Sequence, residues 1–160
     1  MICKRATDLS FFDDFYNLKC DSNAIKWSGF EKAPDYNRLK EHFINLLQTD
    51  KIVLFYLVDD KVIGYSKIAF NNESAQLDGY SVLSEYAGKG YGSQIIKMSV
   101  DYLKDNFGRD KKIIAWVSEN NIASQKCFKN NSFVIVDGVY DFRELKAMNR
   151  TDRFILLERR

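Results

Sequence analysis

Apolar positions recur with two different periods along the chain. Between Thr7 and Lys19, the residues Leu9, Phe12, Phe15, Tyr16 and Leu18 fall on one side of a helix, with Thr7 or Asp8 placed to cap it. A second helix is predicted to open at Pro34, whose fixed φ suits a first helical position, and to carry Tyr36, Leu39, Phe43, Leu46 and Leu47 inward. Residues 21–30 between them read as a loop with Trp27 near its end. The run Ile52 to Val58 (IVLFYLV) is too short for a lone helix and rich in strand formers, which predicts a buried strand. Asp59, Asp60 and Lys61 turn the chain into a returning strand from Val62 to Phe70, and a third strand follows from Ala75 to Leu83.

Beyond a glycine-rich segment, helical spacing resumes to about Asn106, with Ile95, Ile96, Ser99, Tyr102 and Leu103 on one face. A strand from Lys112 to Val117, a short helix from Ile122 to Asn130 and a strand from Phe133 to Val136 come next. The polar stretch from Asp137 to Asp152 is expected to be a long hairpin loop, and Phe154 to Glu158 the last strand. This order implies an α/β (α+β) fold with helices on both faces of one mixed sheet.

Composition narrows the class. The chain has 160 residues with no Pro/Gly/Ser-rich linker, so a single domain over 1–160 is expected. Lys and Arg number 24 against 22 Asp and Glu, a balance that offers no field for nucleic acid or an anionic membrane. The three cysteines (Cys3, Cys20, Cys127) and the one histidine (His42) make no metal-binding or disulfide spacing, so no metal is expected. With neither a signal-like N-terminus nor a long apolar run, the expectation is a cytoplasmic protein.

The candidate chemistry lies at Gly88, Gly90 and Gly92, between a predicted strand and a predicted helix. Such a loop leaves backbone N–H groups unobstructed, and the helix adds its own free N–H groups and its positive dipole end. The pattern GKGYGS lacks the lysine of a P-loop, and its GxGxG spacing departs from the dinucleotide GxGxxG. An unliganded glycine turn is the alternative reading.

The segment VLSEYAGKGYGSQII (Val82 to Ile96) resembles the acetyl-CoA-binding motif of the GNAT N-acetyltransferase superfamily, an Arg/Gln-x-x-Gly-x-Gly/Ala run leading from a strand into a helix. Ala87 stands at the Arg/Gln position. A second block, NIASQKCFKNNSF, resembles the family's downstream Asn…Tyr…Gly-Phe pattern, with Asn121 matched, Phe128 in place of the tyrosine and Ser132 in place of the glycine. The resemblance implies a splayed sheet of about six to seven mostly antiparallel strands. It also implies that acetyl-CoA lies in the splay, with Val82 and Leu83 on its pantetheine arm. Gly88, Lys89, Gly90, Tyr91, Gly92 and Ser93 would hold the pyrophosphate, and Asn121 and Phe128 would lie near the rest of the cofactor.

Acetyl transfer to an amine needs a base for the amine, a donor for the leaving thiolate and an N–H for the oxyanion. Phe128 stands where the family has its donor tyrosine and cannot donate; Tyr80, Tyr91 and Tyr140 are possible substitutes, or the thiolate leaves unprotonated. Strand alternation places Gln76, Asp78, Tyr80 and Val82 on one face, and Asp78 matches a position that often carries the family's base; binding a cationic acceptor or capping a turn are its other readings. Trp27 and Tyr140 are candidate acceptor-binding residues in segments that border the acceptor site in relatives. The resemblance thus implies an acetyl-CoA-dependent N-acetyltransferase acting by direct transfer on a primary amine, of a small molecule first and of a protein N-terminus or lysine second. A non-catalytic acyl-CoA-binding regulatory module is the reading from another class, and a homodimer is possible.

Overall fold

The computed structural model describes all residues, 1–160. Seven strands form one sheet in the order β1-β2-β3-β4-β5-β7-β6. They are β1 (Ile2–Arg5), β2 (Ile52–Val58), β3 (Lys61–Phe70), β4 (Ser74–Val82), β5 (Lys112–Ser118), β6 (Val134–Leu145) and β7 (Arg150–Arg159). Every neighbouring pair is antiparallel except β4 and β5. Five α-helices cover the sheet: α1 (Phe12–Lys19), α2 (Ser22–Ser28), α3 (Tyr36–Leu47), α4 (Tyr91–Phe107) and α5 (Ile122–Lys129). No helix is long and apolar enough to cross a membrane.

The unbroken apolar run of β2 follows from burial on both faces. Val53, Phe55 and Leu57 enter a core with α1 (Phe12, Phe15, Leu18) and α3 (Leu39, Phe43, Leu46). Ile52, Leu54 and Tyr56 enter a second core with α4 (Ile95, Ile96, Val100, Leu103), Phe128 and Leu157. Phe15, Phe43 and Phe55 are almost fully buried and pack ring against ring, so truncating any one to Ala costs about 3–5 kcal/mol. On the second side, Tyr56, Ser66 and Ser99 close a ring of hydroxyl contacts at 2.7–2.8 Å, which ties α4 to β2 and β3. Gly64 lets α4 sit that close; a Cβ there would lie 2.5 Å from Ile95 Cδ1 and 2.6 Å from the Ser81 carbonyl.

Four local expectations are corrected. The chain opens with a strand, β1, too short and too mixed (ICKR) to show a period. Residues 22–28 form α2, capped by the Asp21 carboxylate accepting from Asn23 N and closed by Gly29 at φ +85°. Pro34 precedes its helix; Asp35 is the N-cap and accepts from Arg38 N. Residues 137–152 are mostly strand: β6 runs to Leu145 and pairs with β7 from Arg150. The polar side chains of that stretch belong to an edge strand exposed along nearly its whole length, which is why it lacks an apolar pattern.

Candidate active site

Strands β4 and β5 pair over only three positions, Ser74 with Lys112, Ala75 with Ile113 and Gln76 with Ile114, and then separate. Beyond Gln76, the N–H and C=O groups of β4 that point away from β3 therefore face a gap. A bulge fixes what lines it. Leu77 pairs with Ile68 and Gly79 with Lys67, which leaves Asp78 as an extra residue and resets the alternation. Asp78 and Gln76 thus lie on one face, joined at 3.2 Å, while Tyr80 and Val82 turn to the α4 side and pack on its core. The shared face expected for Gln76, Asp78, Tyr80 and Val82 is corrected accordingly. The Asp78 carboxylate meets Lys67 Nζ at 3.2 Å. Leu83, with its N–H bonded to the Ile63 carbonyl, is buried in the α1–α3 core and also borders a cleft of about 260 Å³ with Asn17, Cys20, Asp21 and Glu85.

At the end of β4 the chain makes a short 3-10 turn (Ser84–Tyr86) and the glycine loop. Asp21 clamps this turn from α2, accepting from Ser84 N at 2.9 Å and Ser84 Oγ at 2.7 Å. Gly88 and Gly90 adopt φ of +74° and +85°, which a residue with a Cβ rarely takes. A Cβ at either would meet nothing within 4 Å, so the concave side of the loop is open. Gly90 is the N-cap of α4 and has no side chain to cap it. The backbone N–H groups from Gly88 to Ser93 make no hydrogen bond within the chain; the first closed amide is that of Gln94, to the Gly90 carbonyl at 3.2 Å. Free amides and the dipole end of a 17-residue helix together form an anion cradle. Lys89 stands at its rim, over the Tyr86 ring, and Tyr91 packs edge-on against Tyr86. Ser93 is held by Asn130 through its hydroxyl and by Asn131 through its carbonyl.

α5 closes the other side. Asn121 caps it, its side chain accepting from Ser124 N at 3.2 Å. Phe128 is buried, and the Tyr80 ring stands perpendicular to it at 5.6 Å between centroids. The Tyr80 hydroxyl donates to Ser124 Oγ at 2.9 Å. Burial pushes the Tyr80 phenol well up, the neighbouring Cys127 adds to this, and the Ser124 bond opposes it, so Tyr80 holds its proton far above neutrality. Cys127 Sγ lies where a Gly92 Cβ would touch it, at 3.0 Å. Tyr80, Gly92, Ser124, Cys127 and Phe128 thus meet at one point, where β4, α4 and α5 converge.

The two candidate acceptor-binding residues lie apart. Trp27 on α2 stacks with Arg150 at 5.8 Å. Tyr140 is opposite Ile155, on the side of the sheet that carries α4, and packs against Phe142 and Arg153. His42 lies on α3, and burial, with Lys67, Lys19 and Lys51 nearby, lowers its pKa. Sequence reasoning missed the Asp21 clamp, although an aspartate followed six residues on by Trp-Ser-Gly carries an N-cap and a C-cap glycine. It also missed Asp152, a buried carboxylate that accepts from Ser118 Oγ at 2.6 Å and from Arg150 at 2.7 and 3.1 Å. No local signal marks a pairing that spans 34 residues.

The family model for the acetyltransferase (GNAT) family matches residues 12–133. The chain belongs to that family, and its reaction class is acyl transfer. No curated protein sequence matches it. Solved structures share the fold end to end. A ribosomal-protein-alanine N-acetyltransferase from Brucella melitensis superposes with a TM-score of 0.80 at 15% identity, covering 99% of both chains. A spermidine N-acetyltransferase from Vibrio cholerae, in complex with CoA and spermine, gives 0.82 at 15% identity over 98% of this chain and 94% of its own. A phosphinothricin acetyltransferase from Sinorhizobium meliloti, in complex with AcCoA, gives 0.74 at 14% identity over 99% and 88%.

Proposed function

We propose that the whole chain acts as one acetyltransferase domain that moves an acetyl group from acetyl-CoA directly to the primary amine of a small molecule. The observation that carries this reading is the set of unpaired N–H groups from Gly88 to Ser93 at the open N-terminus of α4, beside the gap between β4 and β5. An elongated anionic ligand with amide groups fits both parts: phosphates on the cradle, amides along the free edge of β4 from Leu77 to Val82. Acetyl-CoA, when bound, supplies the acyl group as an activated thioester. Gly88, Lys89, Gly90, Tyr91, Gly92 and Ser93 hold its phosphates, Val82 and Leu83 its arm, and Asn121 and Phe128 shape the far wall.

Tyr80 is the proton donor in place of the absent tyrosine at Phe128. Its phenol stays neutral and sits against Phe128; when it gives its proton to the leaving thiolate, the Ser124 hydroxyl turns to donate a hydrogen bond to the phenolate, which regains a proton from solvent after CoA leaves. Asp78, exposed at the bulge and oriented by Lys67 and Gln76, takes the amine's proton directly or through water and releases it to solvent. Trp27 and Tyr140 are assigned to acceptor recognition from the two sides of the sheet. The small-molecule acceptor is supported by relatives that bind spermine or are phosphinothricin acetyltransferases. The free state of Cys3, Cys20 and Cys127 suits a reducing compartment, and we place the enzyme in the cytoplasm.

Calorimetric titration with acetyl-CoA, followed by thiol release with a panel of polyamines, amino sugars, amino acids and peptide N-termini, tests the reading. Binding with release from a small amine is expected. Release only with peptides would move the acceptor to the protein class. Binding without release from any amine would make the chain an acyl-CoA-binding module.

A further inference from the structure

β6 ends the sheet with no strand beyond it; the end of α2 approaches it at Glu144, whose carbonyl oxygen would lie 3.4 Å from a Cβ at Gly29. The opposite edge is blunted: β1 has four residues, two of them Lys4 and Arg5. β6 has 12 residues and is exposed along nearly all of them. From Tyr140 to Leu145 it pairs residue for residue with β7, so this part is a regular strand with one free side. That stretch also carries aromatic surface: Tyr140 is 53% exposed and Phe142 64%. Tyrosine, phenylalanine and arginine are enriched at protein interfaces relative to the rest of the surface.

The order of side chains says what fits this edge. In Tyr140-Asp141-Phe142-Arg143-Glu144, an antiparallel pairing of the strand with its own copy about Phe142 puts each Asp141 opposite an Arg143, twice over. Phe142 then faces Phe142, and each Tyr140 faces a Glu144 carboxylate that its hydroxyl can reach. Directly opposed aromatic and opposite-charge pairs are the units that stabilise adjacent antiparallel strands. Asp141 and Arg143 sit 3.4 Å apart on one face of a single strand, both solvent-accessible and free to exchange this bond for two across the edge. A shift of the pairing by two residues loses the match, because Arg143 would then face Arg143 or Asp141 face Asp141. We propose that the β6 edge seats a second copy of this chain, paired antiparallel about Phe142, so that two seven-stranded sheets become one.

Sedimentation of the full-length chain from low to high micromolar concentration tests this. The expected mass is twice 18.7 kDa. Asp141→Arg places like charges opposite one another twice and is expected to run as a single copy; so is Arg143→Asp. An equal mixture of the two variants pairs arginines with aspartates throughout and is expected to recover the dimer mass. A bond within one strand cannot produce that recovery. Arg143 also lies 4.9 Å over the Phe154 ring, so circular dichroism accompanies each variant. If Arg143→Asp is unfolded, Phe142→Glu decides, with a single-copy mass and an unchanged spectrum expected. A wild-type chain that stays at single-copy mass overturns the proposal. So does a folded Phe142→Glu or Asp141→Arg variant that dimerises as tightly as wild type, or a mixture of folded variants that does not associate.

Discussion

Replacing Tyr80 with Phe removes one oxygen atom and no packing. The ring keeps its perpendicular contact with Phe128, and Ser124 Oγ loses a donor at 2.9 Å. One net hydrogen bond is worth about 1 kcal/mol, and in a chain of this size that lowers the melting midpoint by about 2–4 °C. The effect on turnover is larger. A positioned proton donor contributes about 10²–10⁴-fold, and a thiol with a pKa of about 8.5 is already a fair leaving group. The lower end applies, so kcat is expected to fall about 100-fold, or about 2.7 kcal/mol of activation free energy, with acetyl-CoA affinity within a few-fold of wild type. Thiol release under saturating substrate and calorimetry measure the two effects separately. Phe128→Tyr then restores a hydroxyl at the position where the family has one. The added oxygen enters a buried site and costs about 1–3 kcal/mol of stability, yet in the Tyr80→Phe background it should recover at least 10-fold of the lost kcat. Because burial raises the Tyr80 phenol above its ordinary value, the proton stays in place through the neutral and mildly alkaline range, and this group causes no fall in rate below about pH 10. A Tyr80→Phe enzyme with kcat within two-fold of wild type would refute the donor assignment.

Gly90→Asp should abolish acetyl-CoA binding in calorimetry. Space for the side chain exists, but its carboxylate would cap the free amides of α4 and repel the phosphates. Gly90→Asn, with the same backbone demand and no charge, should bind measurably better than Gly90→Asp, and equal losses would point to backbone strain instead. Asp78→Asn should lower kcat at least 10-fold while leaving CoA affinity within about three-fold, as for loss of a general base; unchanged turnover would remove Asp78 from proton transfer. Burial pushes the Asp152 carboxyl up, but bonds from Arg150, Ser118 and Asn120 outweigh this and hold it below the usual carboxylate range. Its stabilisation is therefore full above the unfolded value of about 3.9 and is lost as pH falls through the lower folded value. Asp152→Asn should cost about 2–3 kcal/mol at pH 7, less than a fully buried pair because the Arg150 side chain is 43% exposed, and should flatten the dependence of the urea midpoint on acid pH.

The elements that carry their own periodicity were legible in the sequence. α1 and α3 announce themselves by Phe12, Phe15 and Leu18 and by Leu39, Phe43 and Leu46, each set at helical spacing and each buried. The glycine cluster was legible because positive φ without a Cβ leaves few residue choices, and Gly88 and Gly90 take that conformation. Only the start of β6, Val134 to Val136, was legible as strand; the rest was not, because an edge strand exposed on both faces buries no alternating set of side chains. The bulge at Asp78 was not read either: the isolated Gly79 is its one local signal, and that slip decides that Tyr80, and not Asp78, turns toward Phe128. Contacts between distant segments, such as Asp21 with Ser84 and Ser118 with Asp152, depend on topology and have no local trace.

The three residue pairs that join β4 to β5 also divide the chain. Strands β1 to β4 come from the stretch before Ser84 and strands β5 to β7 from the stretch after Asp110, so the seam between them is a seam in the sequence as well as in the sheet. α4 lies in the stretch between them and packs on both sides, through the Tyr56–Ser66–Ser99 hydroxyls on the first and its contacts with α5 on the second, while α2 also reaches across, with Trp27 against Arg150. The chain is built as two half-proteins on a common axle. A ligand lying in the seam acts as the missing strand, and its presence should register as slowed amide exchange along Leu77–Val82, where the free edge of β4 has no other partner.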